Sequence, residues 1–586
     1  MTVEKLITDH IDIWSSALQT RSAAGRGSNG KIDLYGIKKL RELILELAVR
    51  GKLVPQDPND EPASELLKRI AAEKAELVKQ GKIKKQKPLP EISEDEKPFE
   101  LPVGWEWTTL SEIATINPKI EVTDDEQDIS FVPMPCISTR FDGAHDQEIK
   151  SWGKVKKGYT HFADGDIAIA KITPCFENSK AVIFKGLKGG VGVGTTELHV
   201  ARPISSELNL QYILLNIKSP HYLSMGESMM TGSAGQKRVP RNFFENYPLP
   251  FPPIAEQIRI VETFSQLMTI CDQLEQQSLL SLDAHQQLVE TLLATLTDSQ
   301  DTKELSDNWA RISQYFGTLF TTEASIDALK QTILQLAVMG KLVPQDPNDE
   351  PAFELLKRIE QEKAELVKQG KIKKQKPLPP VSDEEKPFEL PVGWGWVRLG
   401  DIGTISGGGT PSKNNEEYWL GDIPWLSPKD MKVDYISTAE FNISELAVAN
   451  SSVRIIPNNS ILFVVRGMIL AHTFPVAINK KEVTINQDMK SITSHLFNMD
   501  FLLNLMKGMS RNVLSLVDRS SHGTCKLVSE KLFNLQIPLP PLSEQSRINN
   551  RIEELVSLCD TLKSRLQSAQ QTQLHLADAL TDAALN

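Results

Sequence analysis

Residues 51–90, GKLVPQDPNDEPASELLKRIAAEKAELVKQGKIKKQKPLP, return as residues 340–379 with 37 of 40 positions identical at an offset of 289. The three differences are Ser64/Phe353, Ala71/Glu360 and Ala72/Gln361. The match resumes at residues 96–107, EKPFELPVGWEW, against residues 385–396, EKPFELPVGWGW. In a chain of 586 residues this offset makes two copies of one unit. The repeat is far too long for a solenoid, so it predicts duplicated domains rather than a stacked array.

Between the repeated parts the two halves diverge. Residues 100–250 and 390–540 hold short apolar or alternating runs broken by Gly, Pro and Asn, such as GDIAIAKITP, KAVIFKG, NNSILFVVRGMI and VTINQDM. These patterns predict strands in mixed α/β domains. Two near-identical mounts carrying two different heads imply a protein that reads two different things at a fixed separation. The mounts begin with a helix whose apolar positions, Ile37, Leu40, Ile44 and Leu47, recur as Ile326, Leu329, Ile333 and Leu336. Gly51 and Gly340 follow as C-cap glycines. A second helix spans residues 63–80 and again 352–369, ending in a basic tether, KIKKQKPLP. The tether reads as a solvated linker or as a segment brushing a phosphate backbone.

Each head leaves through a proline-rich exit, YPLPFPPIAEQ or IPLPPLSEQ, into a long helix. Ile260, Phe264, Leu267, Cys271 and Leu274 step by 4, 3, 4, 3, and Ile548, Ile552, Leu555, Cys559 and Leu562 do the same. This is the pattern of a coiled-coil seam. Continued at that period it reaches Leu288 and Leu292 in the first helix, and Leu576 and Leu580 in the second. At ~1.5 Å per residue, residues 254–297 would make a rod of about 66 Å, comparable to two turns of B-DNA at ~34 Å each.

The totals exclude several classes. No apolar run approaches the ~20 residues that span a bilayer, and the N-terminus, MTVEKLITDHIDIW, does not read as a signal peptide. Five scattered cysteines without a CxxC pair argue against disulfides and zinc and suit a reducing cytoplasm. The formal charge of -11 neither announces nor excludes a nucleic-acid binder, because binding depends on where basic groups cluster.

Catalytic motifs do not emerge. In GRGSNGKI, Ile32 stands where a P-loop needs Ser or Thr. The glycines of GGVGVG, Gly190, Gly192 and Gly194, lack the GxGxxG spacing. The Pro-Pro pairs are not preceded by Asn or Asp, so the signature of amino-methyltransferases is missing. Asp166 and Lys171 have no second carboxylate at metal-ligand spacing, and the ten histidines form no paired ligand motif. The chain reads as a binder.

The duplicated ELAVRGKLVPQDP/QLAVMGKLVPQDP segments, the ELPVGWEW/ELPVGWGW entrances, GGGTPSKNNEEYWLGDIPWLSPKDM at 407–431, AKITPCFENSK at 170–180 and the PLPP…EQ exits together resemble the specificity subunit of a Type I restriction–modification enzyme, over essentially the whole chain. The resemblance implies an α+β chain: two mixed α/β target-recognition domains joined by long antiparallel coiled-coil helices, with an internal pseudo-twofold repeat. The segments are then residues 1–99 (helical repeat and tether), 100–250 (first recognition domain), 251–389 (central spacer and tether), 390–540 (second recognition domain) and 541–586 (C-terminal helix). It further implies that each domain reads one half of an asymmetric bipartite site in double-stranded DNA. Two modification subunits, which bind S-adenosylmethionine and methylate adenine, would dock on the helices, and restriction subunits using ATP and Mg²⁺ would join them. The chain itself would hold no cofactor and no metal.

Side chains for reading DNA are only hinted at. Lys171 and Arg466 each follow an apolar strand-like run, where a basic residue reaches a groove or simply sits in solvent. The segment GSAGQKR before the first exit offers Ser233, Gln236, Lys237 and Arg238; SSHGTCK before the second offers Ser521, His522 and Lys526. Both suit close approach to a backbone or a base edge, and both also suit a plain flexible loop. Gly408, Thr410 and Ser412 fit either a family loop or a turn, whereas Trp105, Trp107, Trp394 and Trp396 repeat too regularly to read sequence and are assigned to packing. Two rivals stand beside the DNA-reading assignment: a self-sufficient methyltransferase or nuclease, and a coiled-coil scaffold with no sequence-specific DNA role.

Overall fold

The stripe Ile37, Leu40, Ile44 and Leu47 is buried along one face of helix Tyr35–Val49, and its counterpart is buried along helix Glu323–Val338. The computed structural model describes residues 3–21, 31–84, 92–233, 235–372, 377–519 and 524–585. The chain divides into two units. Unit 1 holds residues 1–19, 33–279 and 570–586; unit 2 holds 20–32 and 280–569. Among the described residues no helix is long and apolar enough to cross a membrane.

Each mount helix ends on a glycine in the left-handed region, Gly51 at φ 67° and Gly340 at φ 70°. The next N–H reaches back five residues, Lys52 to the Leu47 carbonyl and Lys341 to that of Leu336, both at 2.9 Å. This is the 6→1 bond that closes an orphaned helix end. A Cβ at Gly51 would come within 2.6 Å of Pro102 and 2.9 Å of Trp105; at Gly340 it would come within 2.5 Å of Pro391. The repeated glycine therefore makes room for the repeated PVGW turn.

That turn delivers a tryptophan into a polar latch. Trp105 Nε1 donates to Glu256 Oε2 at 2.9 Å, and Gln56 Nε2 bridges the Gly51 carbonyl at 2.6 Å and Glu256 Oε1 at 3.1 Å. Unit 2 repeats the latch: Trp394 to Glu544 at 2.9 Å, and Gln345 to the Gly340 carbonyl at 2.7 Å and to Glu544 at 3.2 Å. Arg259–Asp60 and Arg547–Asp349 close each one at 2.6 Å. Burial pushes both glutamates above the usual carboxylate range, while the Gln and Trp donors and the nearby arginine pull them back. The neighbouring Gln257 and Gln545 donate to the carbonyls of Pro252 and Pro540. The first Pro, the Glu and the Gln of the exit motif Pro-Pro-x-x-Glu-Gln thus each have a structural task. Trp107 and Trp396 pack on Phe99 and Phe388 with centroids 5.2 and 5.0 Å apart, so all four repeated tryptophans serve packing.

The heads share one topology despite their divergent sequences. In the first, strands Ala114–Ile116, Leu198–Pro203, Ile167–Ala170 and Ala181–Ile183 form an antiparallel sheet in that order. In the second, Thr404–Gly407, Met489–Thr493, Ile461–Val464 and Val476–Asn479 take the same order, with Tyr435–Ile436 added in parallel. A second small sheet centres on a parallel pair, Asp128–Val132 with Val191–Gly194 in one head and Ile423–Leu426 with Thr484–Ile485 in the other. A two-stranded ribbon ties the way into each head to its way out: Glu106–Thr108 with Leu249–Phe251, and Gly395–Arg398 with Gln536–Leu539.

The exit helices are Ile254–Asp298 and Leu542–Leu585. Ile260, Phe264, Leu267 and Cys271 are buried, as are Ile548, Ile552 and Cys559. Beyond that the seam departs from its 3.5-residue period. Leu288 is 52% exposed and Leu576 41%, while Val289 and Ala577 are fully buried. The step from Cys271 to Val289, like that from Cys559 to Ala577, is 18 residues, which is five turns of a straight helix at ~3.6 residues per turn. A supercoil would hold the 3.5-residue repeat, whereas a straight helix drifts off it by ~20° per heptad. The mount lysines meet the far ends of these helices. In unit 1, Lys52 Nζ donates to the Leu585 carbonyl at 2.6 Å; in unit 2, Lys341 Nζ donates to those of Thr297 and Ser299 at 2.8 Å. A cation there suits the negative end of the helix dipole.

The latch gives a stability prediction. Glu256→Ala leaves the buried Trp105 indole N–H unpaired, while Gln56 keeps the Gly51 carbonyl, and should cost roughly 1–3 kcal/mol. Adding Trp105→Phe to that variant should cost little more, with a coupling of about 1–2 kcal/mol in a double-mutant cycle of thermal unfolding. Additive losses would show that the indole does not depend on the carboxylate.

Candidate nucleic-acid interface

In each head the segment before the exit folds back as a hairpin against the end of a central strand. In the first head Thr231 and Arg238 pair through both backbone bonds, 3.1 and 2.8 Å. The returning side then pairs with residues 171–173: Thr173 N–H donates to the Lys237 carbonyl at 3.0 Å, and Val239 N–H to that of Lys171 at 2.8 Å. In the second head Asp518–Arg519 pairs with Cys525–Lys526, and Leu527 N–H donates to the Val465 carbonyl at 2.9 Å. The strand-end residues and the hairpin residues singled out in the sequence therefore lie on one edge in each head.

Ser233, Gln236 and Lys237 are exposed on the first hairpin, where the Gln236 N–H closes a turn onto the Ser233 carbonyl at 3.0 Å. Arg466 and Lys526 are exposed in the second head and stand opposite each other. Ser521 and His522 lie outside the described residues. The loop of Gly408, Thr410 and Ser412 folds against the neighbouring segment: Gly409 N–H donates to the Ile485 carbonyl at 2.9 Å, and the Thr410 hydroxyl bonds Gln487. A Cβ at Gly408 would lie 2.0 Å from the Asn486 carbonyl oxygen, so only glycine fits.

Strand register makes the heads comparable residue by residue. Leu198 lies opposite Ala170, and Met489 lies opposite Val464. Lys171 then corresponds to Val465, Ile172 to Arg466, Arg238 to Lys526 and Glu197 to Asp488. Lys171 and Arg466, each at the end of an apolar run, are thus one residue out of step, which in a strand means opposite faces.

Two carboxylates escaped the sequence reading. Glu197 takes Arg238 in a two-pronged ion pair, Nε at 2.9 Å and Nη2 at 2.8 Å. The guanidinium holds the Glu197 carboxyl below its usual range. Asp488 sits at the same place in the second head and faces Arg466 at 3.7 Å. A lone Glu in TTELHV or Asp in NQDMK carries no motif; the only signal was that each precedes a strand of the same sheet position. Asp166, which the sequence left without a second carboxylate at metal-ligand spacing, is buried and held by Arg202 at 2.8 Å through both oxygens.

The geometry defines a class before it defines a family: a two-headed reader whose heads share a fold and differ in the side chains along one edge. The sequence matches the Type I restriction modification DNA specificity domain over residues 102–284 and 391–571. It is 70% identical to the Type I restriction enzyme EcoEI specificity subunit of Escherichia coli and 63% identical to the EcoAI specificity subunit of the same species, in both cases over 100% of each chain. A chain from a structure of the type I R-M system is 18% identical, with a TM-score of 0.48, covering 83% of this chain and 99% of that one. The chain belongs to the Type I restriction–modification specificity-subunit family. This leaves the scaffold reading without support.

Under the first edge, His199 is buried, donates from Nε2 to the Val239 carbonyl at 3.1 Å and stacks on Phe244. Burial, with Lys171 and Arg241 nearby, lowers its pKa to about 4, against the opposing pull of the Val239 carbonyl and Glu197. The unfolded chain takes up that proton near pH 6.5. Between these values the unfolded state binds more protons, so stability present above pH 6.5 is lost as pH falls through about 4. His199→Gln should flatten the acid side of the unfolding-versus-pH curve by up to about 3 kcal/mol. An unchanged slope in calorimetry would show that His199 is not the titrating group.

Proposed function

We propose that this chain supplies DNA sequence recognition to a Type I restriction–modification complex, each head reading one half of an asymmetric bipartite site. The observation that carries this is the pairing of a common head topology with different side chains at equivalent edge positions. Two identical heads would read a palindrome; two like-folded heads with different edges read two different half-sites. Backbone phosphates position such a head, and a few side chains at base edges specify. Lys171, Ser233, Gln236, Lys237 and Arg238 are assigned to the first half-site, and Arg466, Ser521, His522 and Lys526 to the second.

The long exit helices form the antiparallel spacer that sets the gap and docks two modification subunits, with restriction subunits added to that core. The segments 1–99, 100–250, 251–389, 390–540 and 541–586 divide these tasks. The chain acts without catalysis of its own; S-adenosylmethionine, ATP and Mg²⁺ belong to its partners, and the complex works in the cytoplasm on double-stranded DNA.

Methylation mapping in cells carrying this chain with its partner subunits should return an asymmetric two-part adenine-methylated motif with a fixed gap. Replacing residues 100–250 by the corresponding head of a relative should change one half and leave the other intact. A complex that assembles yet methylates no such motif would refute the reading.

A further inference from the structure

The two heads bring an acid and an arginine together at the same place, doubly hydrogen-bonded in the first and 3.7 Å apart in the second, but draw them from different strands. In the first, the acid Glu197 precedes strand Leu198–Pro203, and the guanidinium comes from the hairpin, Arg238. In the second, the acid Asp488 precedes strand Met489–Thr493, and the guanidinium comes from the end of the central strand, Arg466. The cross-strand partners are Ile172 opposite Arg238 and Lys526 opposite Arg466. The arginine has therefore changed sides of one backbone pair between the heads, while the acid has kept its position. Residues directly opposite in an antiparallel pair project to the same face, so both guanidinium groups occupy the same face of the same patch.

Divergence across these heads is nearly complete elsewhere, and a surface ion pair adds little stability. The recurrence is instead explained by what the pair does to the arginine. Arg238 is 43% exposed and is held on one side by two hydrogen bonds to Glu197, which leaves its other side open; Arg466, 50% exposed, stands 3.7 Å from Asp488 without a hydrogen bond to it, within reach of the same arrangement. A fixed guanidinium fork is the group that pairs bidentately with the O6 and N7 of guanine in a major groove. We propose, building on the DNA-reading function above, that Glu197 and Asp488 are specificity-determining positioning residues, each aiming one guanidinium fork at a base edge of its own half-site. The neighbour that changes with it, Ile172 or Lys526, then tunes the adjoining base.

The test uses the full chain assembled with its partner subunits, with methylation mapped genome-wide and unfolding temperatures measured alongside. Glu197→Gln should relax a single base position in the first half-site, lowering discrimination there at least tenfold, and leave the second half-site unchanged. Asp488→Asn should do the reverse. Arg238→Lys keeps the charge without the fork and should relax the same position as Glu197→Gln, whereas Glu197→Asp should retain the parental preference. Unaltered half-sites in both acid variants would overturn the inference. So would a uniform fall in methylation at every site with no change of motif, which is the mark of a merely structural role. A parental chain that yields no two-part motif would instead fail the broader reading, and this inference with it.

Discussion

A buried carboxylate at the start of each long helix is the contact on which the rest of the molecule depends. Glu256 and Glu544 each gather an indole N–H and a glutamine amide, and that glutamine also holds the carbonyl of the glycine that follows the mount helix. One side chain thereby locks three segments far apart in sequence: the end of the mount, the way into the head and the way out of it. Leaving such a carboxylate without donors would be costly, and so would leaving the donors without it. Every corner of this latch recurs in both units: GKLVPQD, PVGW and the Glu-Gln of the exit repeat almost letter for letter while the heads do not.

Much of that framework was legible. Glycines at fixed offsets, a 3-4-3 apolar stripe and a proline-rich exit all have local causes, so the mount helices and their C-caps follow from sequence. The long helices were legible only near their starts. There Ile260, Phe264, Leu267 and Cys271 satisfy a 3.5 and a 3.6 period equally well, because the two diverge by only a fraction of a residue over three turns. By Val289 the difference has grown to a whole residue, and burial rather than pattern decides between them.

The candidate interface was half legible. Basic residues beside small ones can be picked out along a sequence, and Lys171, Lys237, Arg238, Arg466 and Lys526 do converge on one edge of their heads. What the letters do not carry is strand register. Only the pairing of Leu198 with Ala170 and of Met489 with Val464 reveals that Glu197 and Asp488 correspond, and that Lys171 and Arg466 do not. A one-residue slip moves a side chain to the opposite face, so equivalence between two divergent heads cannot be judged by counting from the last apolar residue.

The net charge of -11 also takes on a meaning at this edge. Attraction to phosphates scales with uncompensated positive charge and is blind to sequence. An arginine already paired with an acid contributes little to that attraction, yet keeps directed N–H groups on its open side. Pairing Arg238 with Glu197 trades general affinity for direction, and Asp488, 3.7 Å from Arg466, stands at the equivalent place in the second head. In a chain of net charge -11, the proposed role of the pair favours discrimination over general affinity: an aligned guanidinium adds its share only where an acceptor pair meets it.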